Sequence, residues 1–292
     1  MKISIIIPVY NSSNKILKIL NHFNKNDKNF DIEVILIDDF SDDIHKLEVL
    51  LKEYPFATLI KCKKKSNAAN TRNIGIKNAG GDYIFLLDSD DEFTYDHIEK
   101  RIKLHESRDF IYGDFFVCNK NKKKLRNCGD ISNKSPCEFL FAKVMGDFRT
   151  STISFTKNIK NKIKFDINQN KHQDWGLLFN IYEKKIPIYY DFSPSVLIHE
   201  EESERMSNTL NIEASKYFYK TYLEYSNRKY SNRFVRFLIG NCFYIGNYNQ
   251  FTEIIKLYKL DYNDLTLFFI FLLYKIKIIN NKTYHLLSFL KK

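Results

Sequence analysis

The chain has 292 residues, 44% of them hydrophobic and 15% aromatic, which is enough for one large domain or a domain with an extension. Its net charge of +11 favours anionic partners: nucleotides, nucleic acid or anionic lipid. The five cysteines are scattered and form no CxxC pair, which argues against a zinc site or a disulfide framework. We expect free thiols and, because no signal peptide develops before Pro8, a cytoplasmic protein.

Strands and helices alternate over the first ninety or so residues. Continuous apolar runs predict buried strands, and apolar residues at helical spacing predict the helices between them. The predicted strands are residues 3–9, 32–37, 57–62 and 83–87, with helices after residues 11–13, after residues 42–43 and over 68–79. This order predicts βαβ units and a mostly parallel α/β sheet.

The pattern is mixed after residue 95. We predict a short helix around residues 98–104, a strand over 110–118, a basic loop over 120–127, a helix over 139–145, a strand over 151–155, a helix over 174–182, and short strands over 188–190 and 196–199. From residue 211 onward, aromatic residues, leucines and lysines recur at helical spacing with almost no Gly or Pro, which predicts a helical extension.

Three carboxylates follow the strand predicted at residues 83–87, in the sequence Leu87-Asp88-Ser89-Asp90-Asp91. Acids this close repel one another unless a cation or hydrogen-bond donors neutralise them. Oxygen-rich sites at a strand's carboxyl end suit Mg²⁺ or Mn²⁺ bound to a diphosphate. A solvated acidic turn is the alternative. An EF-hand is disfavoured because Phe93 stands where its loop needs glycine.

Four motifs in order and spacing resemble those of the family 2 glycosyltransferases, which have the GT-A fold. The motifs are Ile5-Ile6-Ile7-Pro8-Val9-Tyr10-Asn11, Ile37-Asp38-Asp39-Phe40-Ser41, Asn67-Ala68-Ala69-Asn70-Thr71-Arg72-Asn73-Ile74-Gly75 and Leu87-Asp88-Ser89-Asp90-Asp91. The resemblance covers about residues 1–120. It implies a GT-A domain over 1–208, with a nucleotide-binding half to about 120 and an acceptor half from 121, followed by the helical extension over 209–292.

The resemblance assigns donor roles to the ends of the strands. Pro8 and Tyr10 would border the nucleotide base, and Asp39 would accept a hydrogen bond from the base or ribose. A helix-capping acid is the structural alternative for Asp39. Arg72 would lie near the diphosphate or base, unless it is a surface arginine with a solvated head. Asp88 would contact the ribose or a metal-bound water.

The metal and diphosphate contacts implied by the resemblance come from two regions. Asp90 would bind Mg²⁺ or Mn²⁺ directly, with Asp88 beside it. His199, after a late strand, is a candidate third ligand, although a single histidine is more often structural. Arg205 and Ser207 are candidate contacts to the diphosphate.

The family usually has a Glu-Asp pair at the start of a later helix, where this chain has Gln173-Asp174. The resemblance makes Asp174 the catalytic base. A helix-terminal acid is the alternative, and His172 is a competing base. Trp175 would serve as a platform for the acceptor sugar or as a core residue.

These assignments predict an inverting, metal-dependent glycosyltransferase that moves a sugar from a nucleotide-diphosphate sugar, UDP-linked, to a hydroxyl of a surface or lipid-linked glycan. A catalytically silent binding module with the same fold is the alternative. Nucleotidyl transfer would need a glycine-rich phosphate loop, which the first strand lacks, and no nucleic-acid-binding module is recognisable.

The apolar run at residues 265–274 is too short to span a bilayer and is soon followed by Lys275 and Lys277. It predicts either a buried packing helix or an interfacial helix on the inner face of the cell membrane. In the second case Lys275, Lys277, Lys291 and Lys292 would meet anionic lipid.

Overall fold

The computed structural model describes residues 1–26, 30–119, 122–199, 211–245, 248–258 and 264–280. The chain forms two compact units, Met1–Asn133 with Asp147–Glu202, and Lys134–Gly146 with Ser203–Lys292. The second unit therefore includes a short segment far upstream of the predicted boundary after residue 208. Only tertiary contacts reveal this membership, because the segment has no periodicity that distinguishes it from its neighbours.

The first unit contains all the described strands. Five α-helices and a 3-10 helix of this unit are named below. The strands are β1 (Lys2–Val9), β2 (Asp31–Asp38), β3 (Ala57–Lys61), β4 (Tyr83–Leu86), β5 (Asp91–Phe93), β6 (Phe110–Gly113), β7 (Phe115–Asn119), β8 (Lys122–Arg126), β9 (Ser154–Thr156), β10 (Tyr189–Asp191) and β11 (Val196–His199). The helices are α1 (Ser13–Asn26), α2 (Ile44–Leu50), α3 (Ala68–Asn78), α4 (His97–His105) and α6 (Gln173–Glu183), with a 3-10 helix at Thr150–Thr152; α5 (Pro136–Phe141) belongs to the second unit.

A seven-stranded sheet forms the centre of the first unit, in the order β10-β6-β9-β4-β1-β2-β3. The neighbouring pairs β4–β1, β1–β2 and β2–β3 are parallel, and only β9 runs antiparallel to its neighbours. The β-branched residues of β1, and Val34, Ile35 and Ile37 of β2, are almost completely buried, as expected for strands covered on both faces. The prediction of a mostly parallel α/β sheet is confirmed.

A second sheet has the order β5-β11-β7-β8, and two predictions are corrected here. Residues 120–127 were expected to form a loop, but β8 pairs antiparallel with β7 along its whole length. The run at 110–118 is two strands, because Asp114 interrupts it to accept hydrogen bonds from Cys128 N (2.6 Å) and Tyr190 Oη (2.7 Å). Asp91, the last acid of the fourth motif, begins strand β5.

The second unit is helical in its described parts, as predicted. It contains α5, α7 (Ile212–Phe218), a π-helical turn at Tyr219–Leu223, α8 (Arg228–Ile245), α9 (Tyr248–Ile255) and α10 (Leu265–Lys275). Phe234 of α8 packs against Phe141 and Phe218, with ring centroids 5.5 and 5.4 Å apart. These aromatic contacts explain why α5 clusters with the later helices. In the residues described, none of the helices reaches the length and apolarity needed to cross a bilayer.

A buried ion pair supports the far end of the large sheet. Arg101 of α4 is completely buried, and its Nε lies 3.2 Å from Asp191 Oδ2 at the end of β10. Gly113 of β6 lies against both residues: a Cβ there would come within 2.3 Å of Asp191 O and 2.9 Å of an Arg101 terminal nitrogen. The absence of a side chain at Gly113 thus makes room for the pair.

We expect Arg101→Met to lower the free energy of unfolding by about 3–5 kcal/mol, because it leaves the Asp191 carboxylate buried without its cation. Lys103→Met is the matched control: Lys103 lies on the same helix but pairs with Glu99 in solvent. Urea unfolding of both variants measures the difference. Equal stability of the two variants would show that the buried pair does not support the fold.

Candidate active site

The carboxyl ends of β4, β1 and β2 lie side by side and carry the residues that the sequence marked. Because these strands are parallel neighbours, the residues that follow them share one edge of the sheet. Tyr10 follows β1, Asp39 follows β2, and Asp88 and Asp90 follow β4. A 3.3 Å contact between Ser12 Oγ and Ser89 Oγ joins the loop after β1 to the acidic loop.

Asp39 is buried in a network of donors after β2. Its Oδ1 accepts hydrogen bonds from Ser66 N (2.8 Å) and Ser66 Oγ (2.7 Å), and Lys65 Nζ lies 3.7 Å from Oδ2. The side chain therefore acts as an anchor for the loop before α3, not as the cap of a helix. Tyr10 is 49% exposed, and the Lys65 ammonium lies over its ring, so an aromatic side chain stands at this edge with a cation beside it.

Helix α3 positions Arg72 at the centre of the site. Asn67 caps the helix by accepting from Asn70 N at 3.0 Å. Gly75 allows a close approach to the sheet, since a Cβ there would come within 2.4 Å of Ile6 and 2.7 Å of Ile37. These features set the position of the arginine one turn into the helix.

The guanidinium of Arg72 joins the acidic loop to α6. One terminal nitrogen donates to Asp88 Oδ1 at 2.6 Å, and the other donates to Gln173 Oε1 at 2.8 Å. Only 6% of Arg72 is exposed, so it is not a surface arginine with a solvated head. A buried guanidinium needs a compensating anion, and Asp88 supplies it.

The acidic loop is also held from the 3-10 helix at Thr150–Thr152. Ser151 Oγ donates to the buried carboxylate of Asp91 at 2.6 Å and accepts from Asp88 N at 3.1 Å. Asp90, between them, stays partly exposed. Ser151 gave no sequence signal, because it belongs to no motif and reaches the loop only through the fold.

The structure places His199 against Glu92 instead of against the other candidate metal ligands. His199 Nε2 lies 2.6 Å from Glu92 Oε1, and this contact raises the pKa of His199. The contact with His199 and the ion pair with Lys18 together lower the pKa of Glu92 to about 2. No three His, Cys, Asp or Glu side chains in the described ranges are grouped to hold a metal ion. Arg205 and Ser207 lie outside the described residues.

Asp174 stands in the first turn of α6, directly after Gln173. Burial raises the pKa of its carboxyl to about 6, against the opposing effect of the nearby Arg149 and Arg72 charges. A carboxylate with this pKa is mostly ionised at neutral pH and still basic enough to accept a proton from a hydroxyl during transfer. The electrostatics therefore suit the role that the sequence suggested.

His172 is a poor competitor for the same role. It adopts a left-handed backbone conformation (φ 61°) before α6, and burial lowers the pKa of its imidazole to about 3. Its ring stacks on Trp175, with centroids 4.6 Å apart and planes 12° apart. The partly exposed Trp175 thus has one face covered by a residue of its own chain.

A protein-family model described as "Glycosyl transferase family 2" matches residues 4–181. The chain belongs to this family. The match includes β1, β2, β4 and the first turns of α6, and so covers the acids at the strand ends and the Gln173-Asp174 pair.

Two curated relatives illustrate the range of the family. The amylovoran biosynthesis glycosyltransferase AmsB of Erwinia amylovora is 33% identical over 190 residues, 60% of this chain and 62% of AmsB. The poly(ribitol-phosphate) beta-N-acetylglucosaminyltransferase TarP of Staphylococcus aureus strain N315 is 28% identical over 227 residues, 73% of this chain and 67% of TarP. The chain thus spans less than two thirds of the length of AmsB.

Crystal structures of S. aureus TarS have the same fold. TarS 1-349 in complex with UDP-GlcNAc superposes with a TM-score of 0.60 at 18% identity, covering 88% of this chain and 79% of the TarS chain. At this identity the similarity concerns the fold alone. The prediction of a GT-A fold is confirmed.

The raised pKa of Asp174 has a consequence for stability that can be tested without any substrate. A carboxyl with a folded-state pKa near 6 and an unfolded-state value near 4 stabilises the fold fully below pH 4 and loses this contribution as pH rises through 6. We expect Asp174→Asn, compared with the unchanged protein, to gain about 2 kcal/mol in unfolding free energy between pH 4 and pH 7. Urea unfolding across this range measures the gain, and a flat difference would refute the buried-carboxyl assignment.

Proposed function

We propose that the chain is an inverting glycosyltransferase that moves a sugar from a nucleotide-diphosphate sugar to a hydroxyl group of a surface or lipid-linked glycan. The observation that carries the proposal is the carboxyl of Asp174, with its pKa near 6, joined through Gln173 and Arg72 to Asp88. This chain of contacts connects a base to a donor-side acid across two segments about a hundred residues apart in sequence. Solvated turn acids would have neither feature.

Asp174 takes the proton of the acceptor hydroxyl as its oxygen attacks the anomeric carbon of the donor sugar. The bond from that carbon to the diphosphate oxygen breaks, and its electron pair leaves with the nucleoside diphosphate. Attack from the face opposite the leaving group inverts the anomeric configuration. Asp88 is paired with Arg72, so the two carboxyl groups have separate tasks.

The donor set near Asp90 is compatible with Mg²⁺ or Mn²⁺ held partly by the substrate. Asp88 and Asp90 offer carboxylate oxygens, which these ions prefer, and the diphosphate would supply further oxygens. A bound ion would neutralise charge on the departing diphosphate. His199 fits this site less well, because it would first have to leave Glu92.

We further propose that the donor is UDP-linked. The fold neighbour TarS was crystallised with UDP-GlcNAc, and TarP is named as a beta-N-acetylglucosaminyltransferase. Pro8 and the exposed ring of Tyr10 would border the base, and Asp39 would receive a hydrogen bond on the oxygen that Ser66 leaves open.

The replacement of the family's usual glutamate by Gln173 does not favour a silent binding module. Gln173 Oε1 accepts the Arg72 hydrogen bond, as a carboxylate oxygen at this position would. The structural task of the residue is therefore fulfilled, and the base follows directly after it.

The decisive experiment compares Asp174→Asn and Asp90→Asn by donor binding and by turnover. We expect Asp174→Asn to bind a UDP-sugar with Mn²⁺ normally, measured by thermal stabilisation, but to lose turnover by roughly 10²–10⁴-fold. Asp90→Asn should lose the Mn²⁺-dependent part of donor binding as well.

The pH dependence of the unchanged protein gives a further test: its turnover should rise with pH up to about 6 and then level. If both variants retain turnover, the proposed catalytic site is wrong; if the unchanged protein binds the donor but transfers nothing to any acceptor, the binding module is favoured.

Helix α10 presents an apolar surface, which we propose contacts anionic lipid on the inner face of the cell membrane. Leu267 and Ile270 pack inward, while Leu265, Phe269, Leu272 and Ile276 are between 40% and 63% exposed. Their spacing of four, three and four residues places them on one helical face. From residue 265 to the last residue of the sequence there are five lysines and no acidic residue. An apolar face beside excess positive charge is typical of an interfacial helix.

We expect Phe269→Gln to weaken binding to vesicles rich in anionic lipid by roughly thirtyfold, because burying a phenylalanine side chain contributes about 2 kcal/mol. Tyr225→Gln is the control, since Tyr225 is exposed in the same unit but lies outside α10. Co-sedimentation at low and high salt measures both variants. If Phe269→Gln instead alters the oligomeric state and leaves vesicle binding unchanged, the surface joins two copies of the chain.

A further inference from the structure

Strand β8 is a row of exposed cations at the edge of the second sheet. Its residues read Lys-Lys-Lys-Leu-Arg, and all five are exposed. Side chains alternate between the two faces of a strand, so Lys122, Lys124 and Arg126 share one face. In the described part of the chain neither Lys122 nor Lys124 has an acidic partner. Lysines on an edge strand prevent it from pairing with strands of other molecules. This protective role is the alternative to a ligand site.

The last residue of the row, Arg126, is held by a buried carboxylate. Arg126 Nε donates to Asp147 Oδ2 at 3.0 Å, and Arg149 Nε donates to Asp147 Oδ1 at 2.7 Å. The Asp147 side chain is only 9% exposed, so it holds the two guanidinium groups in fixed positions. Phe115, the ladder partner of Arg126, lies under Arg149 at 5.7 Å. Protection of an edge strand requires no such network.

Arg149, the second arginine of this network, lies in the segment that contacts the acidic loop. Arg149 stands two residues before Ser151, which contacts Asp88 and Asp91 of the acidic loop, so the row continues from Lys122 and Lys124 through Arg126 and Arg149 to the edge of the candidate site. The charge of Arg149 also counteracts the raised pKa of Asp174. Four cations and one carboxylate leave a net charge of +3 along the row.

We propose that this row, Lys122, Lys124, Arg126 and Arg149, binds an acceptor glycan that carries repeated negative charges, either phosphodiesters or carboxylates. The proposal rests on the transferase function argued above and adds the chemical class of the acceptor. Alternate residues of a strand are about 6.6 Å apart, so Lys122, Lys124 and Arg126 present their charges in a line along one face. Guanidinium groups bind phosphate and carboxylate oxygens in pairs, and lysines add point charges farther out.

The opposite face of β8 provides a matched control. Lys123 lies between Lys122 and Lys124 in sequence, but its ammonium sits 3.9 Å from the centre of the Phe116 ring. Lys123→Gln and Lys124→Gln therefore remove the same charge from adjacent residues on opposite faces. General electrostatic attraction would respond equally to both variants, whereas a site on one face would respond to Lys124→Gln alone.

The test measures binding of three polymers to the full chain: inorganic polyphosphate, polygalacturonate and neutral dextran. We expect binding of one or both anionic polymers, none of dextran, a roughly fivefold loss with Lys124→Gln and no change with Lys123→Gln. The two anionic polymers distinguish phosphate from carboxylate recognition. Equal losses in the two variants, or equal binding of dextran, would overturn the proposal.

Two parallel measurements separate this proposal from its alternatives. Thermal stabilisation by a UDP-sugar with Mn²⁺ should be the same in Lys123→Gln and Lys124→Gln. If the unchanged protein shows no such stabilisation, the proposed donor is wrong. Polymer binding would still test the role of the β8 row in that case. If Lys124→Gln weakens binding to anionic vesicles but not to either polymer, β8 contacts a membrane and the acceptor proposal is wrong.

Discussion

The buried guanidinium of Arg72 is the contact on which the arrangement of the site depends. A charge removed from water must be compensated. Asp88, which follows a strand of the central sheet, compensates it: a terminal nitrogen of Arg72 donates to Asp88 Oδ1 at 2.6 Å. The second terminal nitrogen reaches Gln173, so the start of α6 is fixed relative to the acidic loop. The proposed base, Asp174, is the next residue along the chain. One side chain on α3 therefore fixes the start of α6 relative to the acidic loop, which are the proposed acceptor and donor sides of the site.

The identity of residue 173 matters for the same reason. A glutamate there would add a second carboxylate next to Arg72 and beside Asp174. Like charges at this range disfavour ionisation, so the pKa of Asp174 would rise beyond the value that burial gives it. Gln173 keeps the hydrogen bond to Arg72 without the charge. The departure from the family's usual pair is thus compatible with a base that titrates near pH 6.

The sequence revealed those parts of the fold that rest on local pattern. Strands β1, β2 and β4 are largely apolar runs, and the acids after β2 and β4 were recognised because parallel sheets bind ligands at the carboxyl ends of their strands. Strand β8 escaped prediction because its residues are charged; only its ladder with β7 makes it a strand. Ser151 and Arg149 escaped because they lie in a segment without a motif and act through contacts that cross the fold. The contact between His199 and Glu92 could not be predicted either, since nothing in the sequence distinguishes Glu92 from the acids that precede it.

The charge of Arg149 would link acceptor binding to the strength of the proposed base, Asp174. In the free protein its charge opposes the rise in the pKa of Asp174 that burial causes. An anionic group of the acceptor that pairs with Arg149 would offset part of that charge, and the acceptor itself would remove water from the carboxylate. Both changes disfavour the ionised form of Asp174 and raise its pKa. The base would therefore become stronger as the hydroxyl arrives, while in the free enzyme it would stay ionised at neutral pH and ready to accept a proton.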